Sequence, residues 1–123
     1  MSNEKIEIIE TAFENINNIN ANAPSDVISA IQSTIDDIDT GNVRVAEKIN
    51  NEWVINQWIK KAILLYFRIN EMKLISGSPG ESQWWDKIDS KFKDWNEEKF
   101  TKAGFRAVRN RLRFLDWLVI HLP

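Results

Sequence analysis

Val43-Arg44-Val45-Ala46-Glu47-Lys48-Ile49-Asn50-Asn51-Glu52-Trp53-Val54-Ile55, followed from Gln57 by Gln-Trp-Ile-Lys-Lys-Ala-Ile-Leu-Leu-Tyr-Phe-Arg-Ile to Ile69, is the stretch that decides the fold. Its first part has an apolar period of two: Val43, Val45 and Glu47 point one way, and Arg44, Ala46 and Lys48 the other. Asn50-Asn51 suits a type I′ turn because asparagine tolerates positive φ, and Glu52 to Ile55 returns as the second strand. A two-stranded hairpin is not stable alone in water, so it needs helices behind it. Gln57 to Arg68 is apolar around most of its circumference and is expected to be the buried central helix, with Lys60, Lys61 and Arg68 on its wet side.

Upstream, Ile6, Ile9, Phe13, Ile16 and Asn20 follow helical spacing, and Ile8, Ala12 and Ile19 widen the stripe. Glu4, Glu7, Glu10 and Glu14 lie opposite. The asparagines from Asn15 to Asn22 weaken this helix, and Pro24 prevents its continuation. Ser25 is the expected cap of a second helix with Asp26 in its first turn, an apolar face of Val27, Ile28, Ile31, Ile35 and Ile38, and a left-handed stop at Gly41. Asp36, Asp37 and Asp39 read as a solvated helix end, since a magnesium or calcium site needs further converging oxygens.

Downstream, Met72 to Ile75 suggests a short strand and Ser76-Gly77-Ser78-Pro79-Gly80 a loop without a phosphate-cradle pattern. Trp84-Trp85 is expected on a loop, packing it onto a core or a partner. Asp94-Trp95-Asn96-Glu97 resembles a capping box with Asp94 in the cap position. It opens a helix through Lys102 that Gly104 closes, and Phe105 to Val108 is a candidate strand.

Composition narrows the functions. The 123 residues are 43% hydrophobic and 28% charged, as for one soluble globular domain. The absence of cysteine excludes disulfides, thiolate metal sites and a thiol nucleophile, and a single histidine, His121, argues against a His-cluster metal site. A net charge of −2 argues against nucleic acid as a partner. No apolar run approaches a membrane span and no signal peptide is visible, so the expected compartment is the cytoplasm. Charge is uneven: residues 1–105 sum to −5, whereas 106–123 hold Arg106, Arg109, Arg111 and Arg113 against one acid, Asp116.

The hairpin and third-helix residues, with Phe67-Arg68-Ile69-Asn70, closely resemble the N-terminal domain of tetrahydrodipicolinate N-succinyltransferases. Ile8-Ile9-Glu10-Thr11-Ala12-Phe13-Glu14, Asp86-Lys87-Ile88, Lys91-Phe92, Lys99-Phe100 and Ala103-Gly104-Phe105-Arg106 extend the likeness to about residues 6–108, in order and with near-constant spacing. The resemblance implies an acyltransferase of lysine and diaminopimelate biosynthesis, in which a mostly helical N-terminal domain precedes a left-handed β-helix and three subunits assemble. That enzyme moves succinyl from succinyl-CoA to ring-opened tetrahydrodipicolinate, 2-amino-6-oxopimelate. It also implies that Arg106 contacts the dicarboxylate acceptor, a task that suits a planar guanidinium fork. From the residues alone, Arg106 reads as a surface arginine after a helix cap, and only the resemblance points to substrate contact.

After Val108 the resemblance stops. Residues 109–123 form a basic and apolar tail without six-residue repeats, so no catalytic base, cofactor or CoA groove can be assigned. The body is rich in Ile, Asn and Lys and the tail turns to Arg, which suggests a frameshifted or truncated reading frame. The expectation is an α+β, mostly helical domain over 1–108, about four helices around a central one with a small hairpin. The chain alone is expected to be inactive and, without the β-helix, not to form the family trimer. The alternative is a non-enzymatic protein-interaction module.

Overall fold

The computed structural model describes residues 3–76 and 83–107. The chain divides into two compact units, Met1–Leu74 with Trp84–Ile88, and Ile75–Gln83 with Asp89–Pro123. Four helices and two small strand pairs make the described part α+β and mostly helical.

The first unit is built on three helices: α1 (Asn3–Glu14), α2 (Ser25–Thr40) and α3 (Gln57–Ile69), each in contact with the other two. Ile9 and Ala12 of α1, Ala30 and Ile31 of α2, and Ala62 and Leu65 of α3 form the core. Ile9, Ile31, Ile59 and Leu65 are fully buried, and each such side chain contributes about 1.5–3 kcal/mol by removal from water. Small Ala12, Ala30 and Ala62 at the contacts let the helices approach closely. Fully buried Thr34 satisfies its hydroxyl by donating to the Ala30 carbonyl at 2.7 Å. The sequence stripe of α2 passed over both Ala30 and Thr34.

Helix α1 stops at Glu14, and a 3-10 turn over Ile16–Asn18 follows. At the exit the Asn15 N–H donates to the Ala12 carbonyl at 3.1 Å, a three-residue bond that tightens the last turn, and the asparagine run keeps the chain out of helix beyond it. The Asn20 side chain accepts from its own chain at the Asn22 N–H, 2.8 Å away, a local bond that competes with helix. At α2 the cap is Pro24 rather than Ser25: its backbone is extended (φ −52°, ψ 146°) and its carbonyl accepts from the Ile28 N–H at 3.0 Å. A proline loses nothing there, since the first turn's N–H groups have no helical partner. Gly41, at φ 80°, ends α2 in the left-handed conformation.

Strands β1 (Ala46–Ile49) and β2 (Glu52–Ile55) pair antiparallel, with Ala46 opposite Ile55 and Ile49 opposite Glu52. Asn50 and Asn51 take φ of 49° and 68°, the double positive φ of a type I′ turn. Val43 is buried and Val45 and Glu47 half-buried, while Arg44, Ala46 and Lys48 face water, as the period of two requires. The return strand is exposed throughout, with Trp53 at 70%. Helix α3 buries Ile59, Ala62 and Leu65, whereas Leu64 and Phe67 are exposed, so its apolar circumference is not covered all round.

Strands β3 (Lys73–Ile75) and β4 (Trp84–Asp86) form a second two-stranded sheet. Trp84-Trp85 therefore lies on a strand, not a loop. Alternation half-buries Trp84 and exposes Trp85.

In the second unit, α4 (Glu97–Ala103) is capped by Asn96, not Asp94. The Asn96 side chain accepts from the Lys99 N–H at 3.0 Å, the three-residue reach that a cap side chain needs. Residues 105–107 adopt no regular structure, so the expected strand is absent over them, and Val108 lies outside the described residues.

Candidate functional site

Arg106, the one residue singled out for substrate contact, follows the C-terminal end of α4 and is exposed. Glu97 and Glu98 occupy the first turn of α4 and Lys102 the last. This order follows the helix dipole and gathers positive charge toward the end from which Arg106 emerges.

Behind that end lies an aromatic quartet that the sequence reading missed. Phe92 meets Trp95 at 5.0 Å between centroids with an interplanar angle of 77°, and Trp95 meets Phe100 at 5.0 Å. Phe105 joins at 5.6 Å from Phe92 and 5.8 Å from Trp95. The signal was available as four large rings within fourteen residues, Phe92, Trp95, Phe100 and Phe105. Their spacing fits neither one helix nor one strand, so periodicity did not reveal it.

Charged residues read as solvated turn out to be engaged. Lys5 donates to Ser33 Oγ at 2.8 Å and to Asp37 Oδ2 at 2.7 Å. Asp37 also accepts from the Asn42 side chain, and these partners, Lys5 foremost, hold its carboxyl below the usual carboxylate range. Lys61 pairs with Glu10 across α1 and α3, and its ammonium lies 5.4 Å from the centroid of the Phe13 ring. Arg68 donates to Asn17 Oδ1 at 3.3 Å. Lys61 and Arg68 thus clip α3 to the α1 segment, and Glu10 is half-buried in its pair with Lys61. Among the described residues, no group of three or more His, Cys, Asp or Glu side chains could hold a metal ion.

A cleft in the first unit, of about 330 Å³, is lined by Arg44, Glu47, Asn56 and Trp58 among others. Several of its polar groups bond one another. The Asn56 amide donates to the Arg44 carbonyl at 2.8 Å and to Glu47 Oε1 at 3.1 Å, and its N–H to the Val45 carbonyl at 2.8 Å. This network fastens the hairpin to the start of α3. The basic residues Arg109, Arg111 and Arg113, Trp117 and His121 lie outside the described residues.

Residues 5–69 match a family model described as tetrahydrodipicolinate N-succinyltransferase N-terminal. A 2,3,4,5-tetrahydropyridine-2,6-dicarboxylate N-succinyltransferase of Agrobacterium fabrum is 51% identical over 104 residues, 84% of this chain and 37% of the relative. Proteins of the same name from Rhizobium rhizogenes and Parvibaculum lavamentivorans are each 50% identical, over 83% and 82% of this chain and 36% of their own lengths. The chain thus spans little more than a third of these curated relatives. The matched segment runs from α1 through α3 and contains all three helices of the core, the 3-10 turn and the hairpin. By that match, which covers more than half of its residues, the chain belongs to the tetrahydrodipicolinate N-succinyltransferase N-terminal family.

Proposed function

We propose that residues 1–108 are the N-terminal domain of an acyltransferase that moves succinyl from succinyl-CoA to the amino group of ring-opened tetrahydrodipicolinate, in lysine and diaminopimelate biosynthesis. The observation that carries this reading is the identity of about half the residues with relatives of that name over more than four-fifths of the chain. The reaction is aminolysis of a thioester. The amine nitrogen attacks the carbonyl, the C–N bond forms, the C–S bond breaks, CoA leaves as a thiolate and the nitrogen loses a proton. Within it, Arg106 grips a carboxylate of the acceptor. Its exposure just past the C-terminal end of α4, where Lys102 is the basic residue of the last turn, supports this role.

By this proposal the proton acceptor, the CoA groove and the contacts of a family trimer lie outside residues 1–108. The chain is thus proposed to bind no cofactor and to be inactive alone. The compartment proposed is the cytoplasm; no helix among the described residues is long and apolar enough to cross a membrane. Free-thiol release from succinyl-CoA with the acceptor tests the reading. The 123 residues alone should release none above background. An enzyme of the relatives' full length carrying residues 1–108 should turn over, and Arg106→Lys should raise its acceptor KM and leave its succinyl-CoA KM unchanged. Unaltered acceptor kinetics would reject the role of Arg106.

The second reading, a non-enzymatic interaction module, draws on exposed Trp53, Leu64, Phe67 and Trp85 in the first unit. Sedimentation of the chain alone, showing self-association that Leu64→Lys abolishes, would favour it.

A further inference from the structure

The path by which the chain leaves α4 is set twice. Gly104 adopts φ 71° and donates its N–H to the Phe100 carbonyl at 3.1 Å, the single-bond left-handed helix stop. The next side chain, Phe105, turns back onto the helix, with its centroid 5.6 Å from Phe92, 5.8 Å from Trp95 and 6.1 Å from Phe100. Phe105 keeps 45% of its surface exposed, so it closes the quartet without being enclosed by it. Arg106 is one peptide beyond this seated ring, about 3.8 Å from Cα to Cα. A long side chain that must find a carboxylate loses less freedom when its backbone is already held.

We propose that Phe105, with the Gly104 turn behind it, is a positioning residue for Arg106, presenting the guanidinium toward the acceptor's carboxylate. This rests on the acceptor-binding reading of Arg106. It goes beyond that reading by giving a function to the aromatic quartet, which otherwise only packs.

The test is a kinetic cycle in the full-length enzyme carrying residues 1–108, with the near-UV circular dichroism of Trp95, assigned by difference from Trp95→Phe, reporting an intact quartet. Phe105→Ala should raise the acceptor KM about tenfold. It should leave kcat and the succinyl-CoA KM within about twofold, and Phe105→Tyr should restore the acceptor KM. Added to Arg106→Gln, Phe105→Ala should have no further effect, because the ring acts through the arginine. An unchanged acceptor KM in Phe105→Ala, or an equal rise on the Arg106→Gln background, overturns the positioning role and leaves the acceptor-binding reading standing. An unchanged acceptor KM in Arg106→Gln itself overturns that reading and the positioning role with it. Should Phe105→Ala lose the Trp95 signal, Gly104→Ala decides. A Cβ there meets nothing within 4 Å, so only the backbone path is disturbed. An acceptor KM raised about threefold supports the proposal, and no change overturns it.

Discussion

The Lys5 ammonium lies 2.7 Å from Oδ2 of Asp37 and ties the first turn of α1 to the last turns of α2. Asp37 is near the negative end of its helix dipole, where a carboxylate is disfavoured. The hydrogen bond from Lys5, and a weaker one from Asn42, outweigh this and lower its affinity for a proton.

That pair predicts a pH dependence. Asp37 binds its proton less tightly in the folded chain than in the unfolded one, where its pKa is about 3.9. The linked stability is therefore present above the unfolded pKa and lost as pH falls through the lower folded value. In urea titrations, Asp37→Asn should lower the unfolding midpoint at pH 7. Its difference from the parent chain should hold from pH 7 down to about pH 5 and shrink only as pH falls through the unfolded value and below it. A difference independent of pH would show that the carboxylate charge contributes nothing.

Core and surface positions should separate by size of effect. Leu65 and Ile31 are fully buried, so Leu65→Ala or Ile31→Ala should cost about 2–5 kcal/mol in urea unfolding followed by helical circular dichroism. Trp53, larger but 70% exposed, should cost at most about 0.5 kcal/mol as Trp53→Ala. A reversed order would contradict the helix-only core.

The hairpin turn should discriminate by backbone conformation. Asn51, at φ 68°, should accept glycine without loss of stability, whereas Asn51→Val should cost about 1–2 kcal/mol. Amide exchange at Glu47 and Val54, opposite each other in the ladder and in the same hydrogen-bonded phase as Val45 and Asn56, reports whether pairing survives.

At α4, Asn96→Ala should cost about 1 kcal/mol and speed amide exchange at Lys99, while Asn96→Asp should be tolerated. Asp94→Ala should leave that exchange unchanged, because Asp94 does not cap the helix.

Some features needed only local chemistry, and these were legible in the amino-acid string. The type I′ turn at Asn50-Asn51, the alternation from Val43 to Lys48 and the left-handed stops at Gly41 and Gly104 depend on φ preferences and short-range periodicity. Those act within a few residues. The likeness from Ile6 to Val108 placed the chain in its family for a related reason, since its matched residues keep their order and spacing along the chain.

Only the tertiary structure decided which charges are spent and which remain. Lys61 and Arg68 lie 51 residues from their partners Glu10 and Asn17, a separation at which no periodicity operates. Folding also chose Asn96 over Asp94 as the cap, paired Trp84-Trp85 into a strand and gathered Phe92, Trp95, Phe100 and Phe105 beside Arg106. Sequence limits what each residue can do. Which of these chemistries is used depends on the neighbours that packing brings, and contacts between distant residues exist only once the chain has folded.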